Sequence, residues 1–142
     1  MTKGVIFYAQ SEIRSIWGDP SAWTNTLEKL GVDFYIMIDI EKIVPNWEET
    51  KQIEGHRVDN FNDALTKLGE VHPECKTVFF TMNSNIELKD FTHPANVCYV
   101  VGADSGDTPS FESDHSIKLF SPNLWAIQCI SIALYDNFSK GD

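Results

Sequence analysis

The densest group of residues able to do chemistry is Gly102-Ala103-Asp104-Ser105-Gly106-Asp107-Thr108-Pro109. A glycine-bearing loop lets backbone amides and carbonyls come close to a ligand. The same composition also makes an ordinary surface turn, in which Asp and Ser side chains bond their own backbone. Asp104, Asp107 and Asp114 carry charge suited to a divalent cation, but their spacing matches no EF-hand loop. Glu41, Glu48, Glu49 and Glu54 lie in one polar stretch. Paired carboxylates can serve as acid and base; these read as a solvated face. His56, His72, His93 and His115 are scattered, with no His-x-x-x-His or Cys-x-x-Cys spacing, so no metal site is expected. The phosphate-loop, dinucleotide-loop and nucleophile-elbow motifs are all missing. Trp23 falls in a helical apolar stripe and reads as core. Trp125 stands in the first turn of the last helix, where an indole can join the core, a dimer interface or a pocket wall.

Those residues need a scaffold, and the chain has the length for one domain spanning 1–142. It is 42% hydrophobic and 12% aromatic, too apolar for a disordered chain. No apolar run reaches bilayer length, and the N-terminus lacks the apolar region of a secretory signal. The 11 basic residues face 21 acidic ones, a net charge of -10, and only Arg14 and Arg57 are arginines. Avid, non-specific binding to nucleic acid or to an anionic membrane is therefore disfavoured. Cys75, Cys98 and Cys129 are odd in number and far apart, which suits a reducing cytoplasm better than a disulfide framework.

Strand-like and helix-like segments alternate. Val5–Ala9 reads as a strand. Asp19-Pro20 is a helix start, Trp23, Leu27 and Leu30 follow at helical spacing, and Gly31 is the stop. Val32–Ile40 is apolar almost throughout and reads as a strand buried on both faces. Residues 41–55 are a polar loop, and His56–Val58 is a brief strand. A helix capped by Asp59 or Asn60 buries Phe61, Ala64, Leu65 and Leu68 and stops at Gly69. Lys76–Met82, Asn96–Val101 and Ser116–Phe120 are three more strands. Ser121-Pro122 repeats the cap-plus-proline signal for a helix to about Asn137. The order predicts an α/β fold with a mostly parallel sheet flanked by helices. Ligands of such sheets bind at the carboxyl ends of strands, here the loops after Met82, Val101 and Phe120.

The C-terminal half resembles SPOUT RNA methyltransferases. Val97-Cys98-Tyr99-Val100-Val101-Gly102-Ala103-Asp104 is similar to their strand-plus-loop motif, and Ile117-Lys118-Leu119 to their short following strand. Asn123-Leu124 with Ile130-Ser131-Ile132-Ala133-Leu134-Tyr135-Asp136 is similar to their closing helix. Thr26–Val32 and Asp59–Leu68 match the upstream helices, and the order agrees from about residue 20 to 138. The resemblance implies a C-terminal trefoil knot, a homodimer, and S-adenosylmethionine held mostly by backbone. Carried over by position, the cofactor wall comprises Thr81, Gly102, Ile117, Leu119 and Leu124. Departures are specific. Asn25 stands where ribose methyltransferases place a catalytic arginine, so Arg14 is the available substitute. Asp104 replaces a glutamate, Gly106-Asp107 replaces Arg-Gly, and Trp125 replaces an asparagine.

The expected function is methyl transfer from S-adenosylmethionine to an RNA ribose 2′-hydroxyl, with Arg14 and Asp104 as catalytic candidates. The alternatives are a degenerate, non-catalytic dimeric binding module and an enzyme using the same cofactor on another substrate.

Overall fold

The computed structural model describes residues 1–9, 20–44, 53–103, 111–121 and 124–141. The elements are β1 (Lys3–Tyr8), α1 (Pro20–Lys29), β2 (Phe34–Ile38), β3 (Glu54–Val58), α2 (Phe61–Val71), β4 (Lys76–Phe80), β5 (Val97–Val100), β6 (His115–Ile117) and α3 (Ala126–Lys140). A 3-10 turn at Leu88–Asp90 precedes β5. The strands form one sheet in the order β3-β2-β1-β5-β4-β6. Every neighbouring pair is parallel, as the alternation of strands and helices predicts.

Alternate residues of each strand face opposite sides. Phe7, Tyr35, Met37, Val78, Tyr99 and Ile117 pack with Trp23 and Leu27 of α1 and with Ile127, Ile130 and Leu134 of α3. Ile6, Phe34, Ile36, Cys98 and Val100 pack with Ala64 and Leu68 of α2. All five residues of β2 are buried, as its unbroken apolar run predicts. Trp23 is core: its indole stacks on Phe7 with ring centroids 4.4 Å apart. Close packing explains Gly4, which pairs with Phe34. A Cβ there would lie 2.0 Å from the Phe34 ring.

Gly31 ends α1 with φ +76°. The Gly31 amide donates to Glu28 O and the Val32 amide to Leu27 O, the paired bonds of a Schellman turn. Asn60 caps α2, its Oδ1 accepting from the Asp63 amide at 2.8 Å.

Several boundaries differ from expectation: β3 starts at Glu54, β4 ends at Phe80 and α3 runs on to Lys140, and three others have a local physical reason. Gly69 lies inside α2, which closes when the His72 amide donates to Leu68 O. An internal glycine costs about 1 kcal/mol, and packing of Phe61, Ala64, Leu65 and Leu68 offsets it. Helix α3 begins at Ala126, because Trp125 is still extended at ψ 155°. Its start is marked by Gln128, whose Oε1 accepts the Trp125 amide at 2.9 Å. Strand β6 stops at Ile117, with only a single bridge from Lys118 to Glu87 beyond it. The expected knot turns on the path of residues 104–110, which lie outside the described residues.

A polar relay ties the end of α3 to β5. Tyr99 is fully buried. Its hydroxyl accepts from Asn137 Nδ2 at 2.8 Å and therefore donates to His93 Nδ1 at 2.7 Å. His93 Nε2 then donates to Asp136 Oδ2 at 2.8 Å. This bonding order needs a neutral imidazole. Burial holds His93 below its ordinary value of 6.5, against the pull of Asp136. The unfolded chain takes a proton near pH 6.5 that the native chain refuses, so this contribution is full above pH 6.5 and fades as pH falls below it. Between pH 7 and 5, chemical denaturation of the wild type should show a loss of up to about 1.4 kcal/mol per pH unit from this group. The loss should be missing from His93→Gln; equal slopes for both proteins would contradict it.

Candidate functional site

Three adjacent strands, β5, β4 and β6, bring the expected cofactor residues to one edge. The β4–β5 register runs to Phe79↔Val100. Thr81 and Gly102 stand two residues beyond that step on neighbouring strands. Across β4–β6 the Thr81 amide donates to Ile117 O at 2.9 Å. Ile117 is fully buried and Leu119 is 6% exposed, while Leu124 is half-buried against the same core. Thr81, Gly102, Ile117 and Leu119 thus converge where the β5–β6 connection begins and β6 ends, with Leu124 on the approach to α3.

The wall is held by the loop after Met82, one of the strand-end loops expected at the site, through a residue, Ser84, that sequence reasoning did not single out. Ser84 is buried, its Oγ donating to Ser116 O at 2.8 Å and accepting the Ile86 amide at 3.0 Å. Thr81 O accepts the Ser84 amide, and Thr81 Oγ1 accepts the Asn83 amide. Lys118 exchanges two backbone bonds with the same loop, from its amide to Ile86 O and from Leu88 N to its carbonyl. Asn83-Ser84-Asn85 reads as a turn in sequence; nothing local marks one hydroxyl as the clasp between loop and strand. Ser84→Ala strands the Ile86 amide and should cost about 1–3 kcal/mol in urea denaturation. A loss under a few tenths would show that solvent replaces the clasp.

Backbone satisfaction changes abruptly at the end of β6. Both backbone groups of Lys118 are engaged. Among the described residues, neither the N–H nor the C=O of Leu119 has a protein partner, and the same is true of Gly102. Buried backbone groups are nearly always paired, so these are groups left for a ligand or solvent at the edge.

The other expected positions divide. Asn25 is exposed on α1. Trp125 is half-buried at the start of α3 and outside both core clusters. Arg14 and Asp104 lie outside the described residues.

A second polar group occupies the carboxyl ends of β2 and β3. Asp39 is completely buried. Its Oδ1 accepts the Ile43 amide at 3.0 Å, and its Oδ2 accepts the Val44 amide at 2.9 Å and Arg57 Nε at 3.1 Å. Arg57 Nη1 also donates to Asp59 at 3.1 Å, whereas its buried Nη2 has no partner among the described residues. Lys42 and, less strongly, Arg57 hold the Asp59 carboxyl below its ordinary range. Glu54 is exposed, as read from the sequence, and it also bridges two histidines; accepting from His56 and His72 lowers its affinity for a proton against the opposing effect of desolvation. Among the described residues no group of three His, Cys, Asp or Glu side chains could hold a metal ion.

No protein-family model and no curated protein matches the chain. Solved structures do. An RNA 2′-O ribose methyltransferase superposes with a TM-score of 0.66 at 10% identity, covering 96% of this chain and 56% of the other. The TrmH/SpoU tRNA modifying enzyme of A. aeolicus superposes with a TM-score of 0.68 at 16% identity, covering 98% of this chain and 77% of the other. This chain spans just over half the length of the first of them. The parallel sheet, the convergence of β4, β5 and β6, and these superpositions agree: the chain shares the parallel α/β fold of these two structures.

Proposed function

We propose that this chain binds S-adenosylmethionine at the carboxyl ends of β4, β5 and β6 and transfers its methyl group to RNA, at a ribose 2′-hydroxyl. The observation that carries the reading is the unpaired backbone of Leu119 and Gly102 beside a buried apolar wall. An adenine edge offers one donor and one acceptor side by side. The N–H and C=O of Leu119 complement that pair, and Ile117 and Leu124 supply apolar surface for the ring. Gly102 lets the chain pass close to the ligand. Thr81, bonded to Ile117, keeps the strand ends together.

S-adenosylmethionine, when bound, supplies an electrophilic methyl group. The chain's own task is to hold the ribose hydroxyl in line and to favour loss of its proton. Arg14 is assigned to orient the hydroxyl and stabilise the developing alkoxide. Asp104 is assigned to the substrate side of the loop. A homodimer fits the outer face of α3, where Tyr135 is 69% and Phe138 75% exposed and their rings lie 6.5 Å apart. Apolar groups clustered on an outer helix face are the kind of surface that a partner covers.

Calorimetric titration with S-adenosylmethionine and S-adenosylhomocysteine tests the site. The expected dissociation constant is micromolar or tighter, about -8 kcal/mol or better. Absence of heat at millimolar ligand, from folded protein, would sink the proposal. Binding without transfer of labelled methyl to any RNA would instead leave a dimeric binding module, the reading that the uncharged Asn25 favours.

A further inference from the structure

A cleft of about 490 Å³ lies at the amino-terminal ends of the central strands, between the start of β1, the approach to β5 and the end of α3. Its lining reverses the charge balance of the chain. Among the described residues, Lys3, Lys89 and Lys140 line it with Asp90 as the single carboxylate, whereas the whole chain has 21 acidic residues to 11 basic ones.

The lysines differ in role. Lys140 Nζ donates to Leu88 O at 2.6 Å and Phe91 O at 3.0 Å and pairs with Asp136 at 2.8 Å. All three of its hydrogens are engaged, so it builds the wall and offsets the negative end of α3. Lys3 and Lys89 have no carboxylate within ion-pair distance among the described residues. The segment lining the cleft adds more donors. Among the described residues, the amides of Thr92, His93 and Ala95 and the hydroxyl of Thr92 have no protein partner. His93 itself is fixed by Tyr99 and Asp136. The described residues that line the cleft thus carry two ammonium groups without an ion-pair partner, a hydroxyl and three unpaired amides, against one carboxylate.

A donor-rich concavity needs an acceptor-rich ligand. We propose that this cleft binds a phosphoryl group, at a site separate from the methyl-donor site and independent of that reading. A phosphate offers several acceptor oxygens, and Lys3 and Lys89 supply point charges for it. The phosphoryl group can belong to a small free ligand or to an oligonucleotide backbone, and one experiment separates them.

The whole chain, labelled with ¹⁵N, is titrated at constant ionic strength with sodium phosphate and separately with a short oligoribonucleotide lacking terminal phosphates. Saturable shifts of the Thr92, His93 and Ala95 amides are expected with at least one probe. Phosphate alone acting means a small-ligand site; the oligonucleotide acting means a backbone contact. Lys89→Glu changes an exposed side chain and should weaken binding at least about tenfold while leaving the rest of the spectrum in place. Two results overturn the proposal: no saturable shift with either probe up to about 20 mM, or shifts that persist unchanged in Lys89→Glu.

Discussion

Replacing Asp39 by alanine should lower folding stability by about 3–5 kcal/mol, and Tm by roughly 10 °C or more. Asp39 is fully buried and accepts from two amides and a guanidinium. Alanine removes all three acceptances at once. Arg57, only 17% exposed, keeps its charge and retains only Asp59 as an anion partner. Its Nη2 already lacks a partner, so the local network has no reserve. Breaking a buried pair from one side is costly because the remaining charge is poorly solvated. Asp39→Asn keeps an acceptor for one amide but loses the charge, and should cost about half as much. Urea denaturation followed by tryptophan fluorescence measures both. An alanine variant within about 1 kcal/mol of wild type would mean that water reaches Arg57 and replaces the carboxylate.

On the proposed function, Arg14→Ala should lower the single-turnover rate of methyl transfer at least about 100-fold and leave S-adenosylmethionine affinity within about twofold. A group that orients the ribose hydroxyl acts on the reacting state, not on the bound cofactor. The cofactor wall assigned here uses apolar side chains and backbone groups, so cofactor affinity should not register a change at Arg14. Arg14→Lys retains charge but not the planar fork and should recover only part of the rate. Equal rates in wild type and Arg14→Ala would remove Arg14 from the mechanism. Loss of cofactor binding in the variant would make it a structural residue.

The order of elements was legible because punctuation and periodicity agree. Gly31 lies where Leu27 and Leu30 run out, and it has the positive φ that only glycine adopts easily. The five-residue core of Val32–Ile40 is a strand buried on both faces. Gly69 carries the same letter without the same conformation, since packing on α2 decides there. Strand order was not legible: that β5 lies beside β1 depends on residues more than 90 positions apart. The polar groups that hold the structure share this property. Asp39 meets Arg57, His93 meets Asp136, and Ser84 meets Ser116 only after folding. None has a spacing that announces it. Of the candidate site, the convergence of Thr81, Gly102, Ile117 and Leu119 was expected from resemblance, and the fold brings them to one edge. The unpaired backbone at Leu119 was not legible, because hydrogen-bond satisfaction is a property of neighbours in space.

The pairing of Lys3 with Val97 also sets the order in which the molecule can be made. Once β1, β2 and β3 have left the ribosome, β1 has a partner on one side only. Its other edge, Val5-Ile6-Phe7, stays apolar and open until β5 is synthesised. The middle of the sheet is therefore among the last parts to close. Contacts so distant along the chain slow folding, and a waiting hydrophobic edge is a template for wrong pairings. Fragments ending before residue 97 should aggregate where the full chain folds.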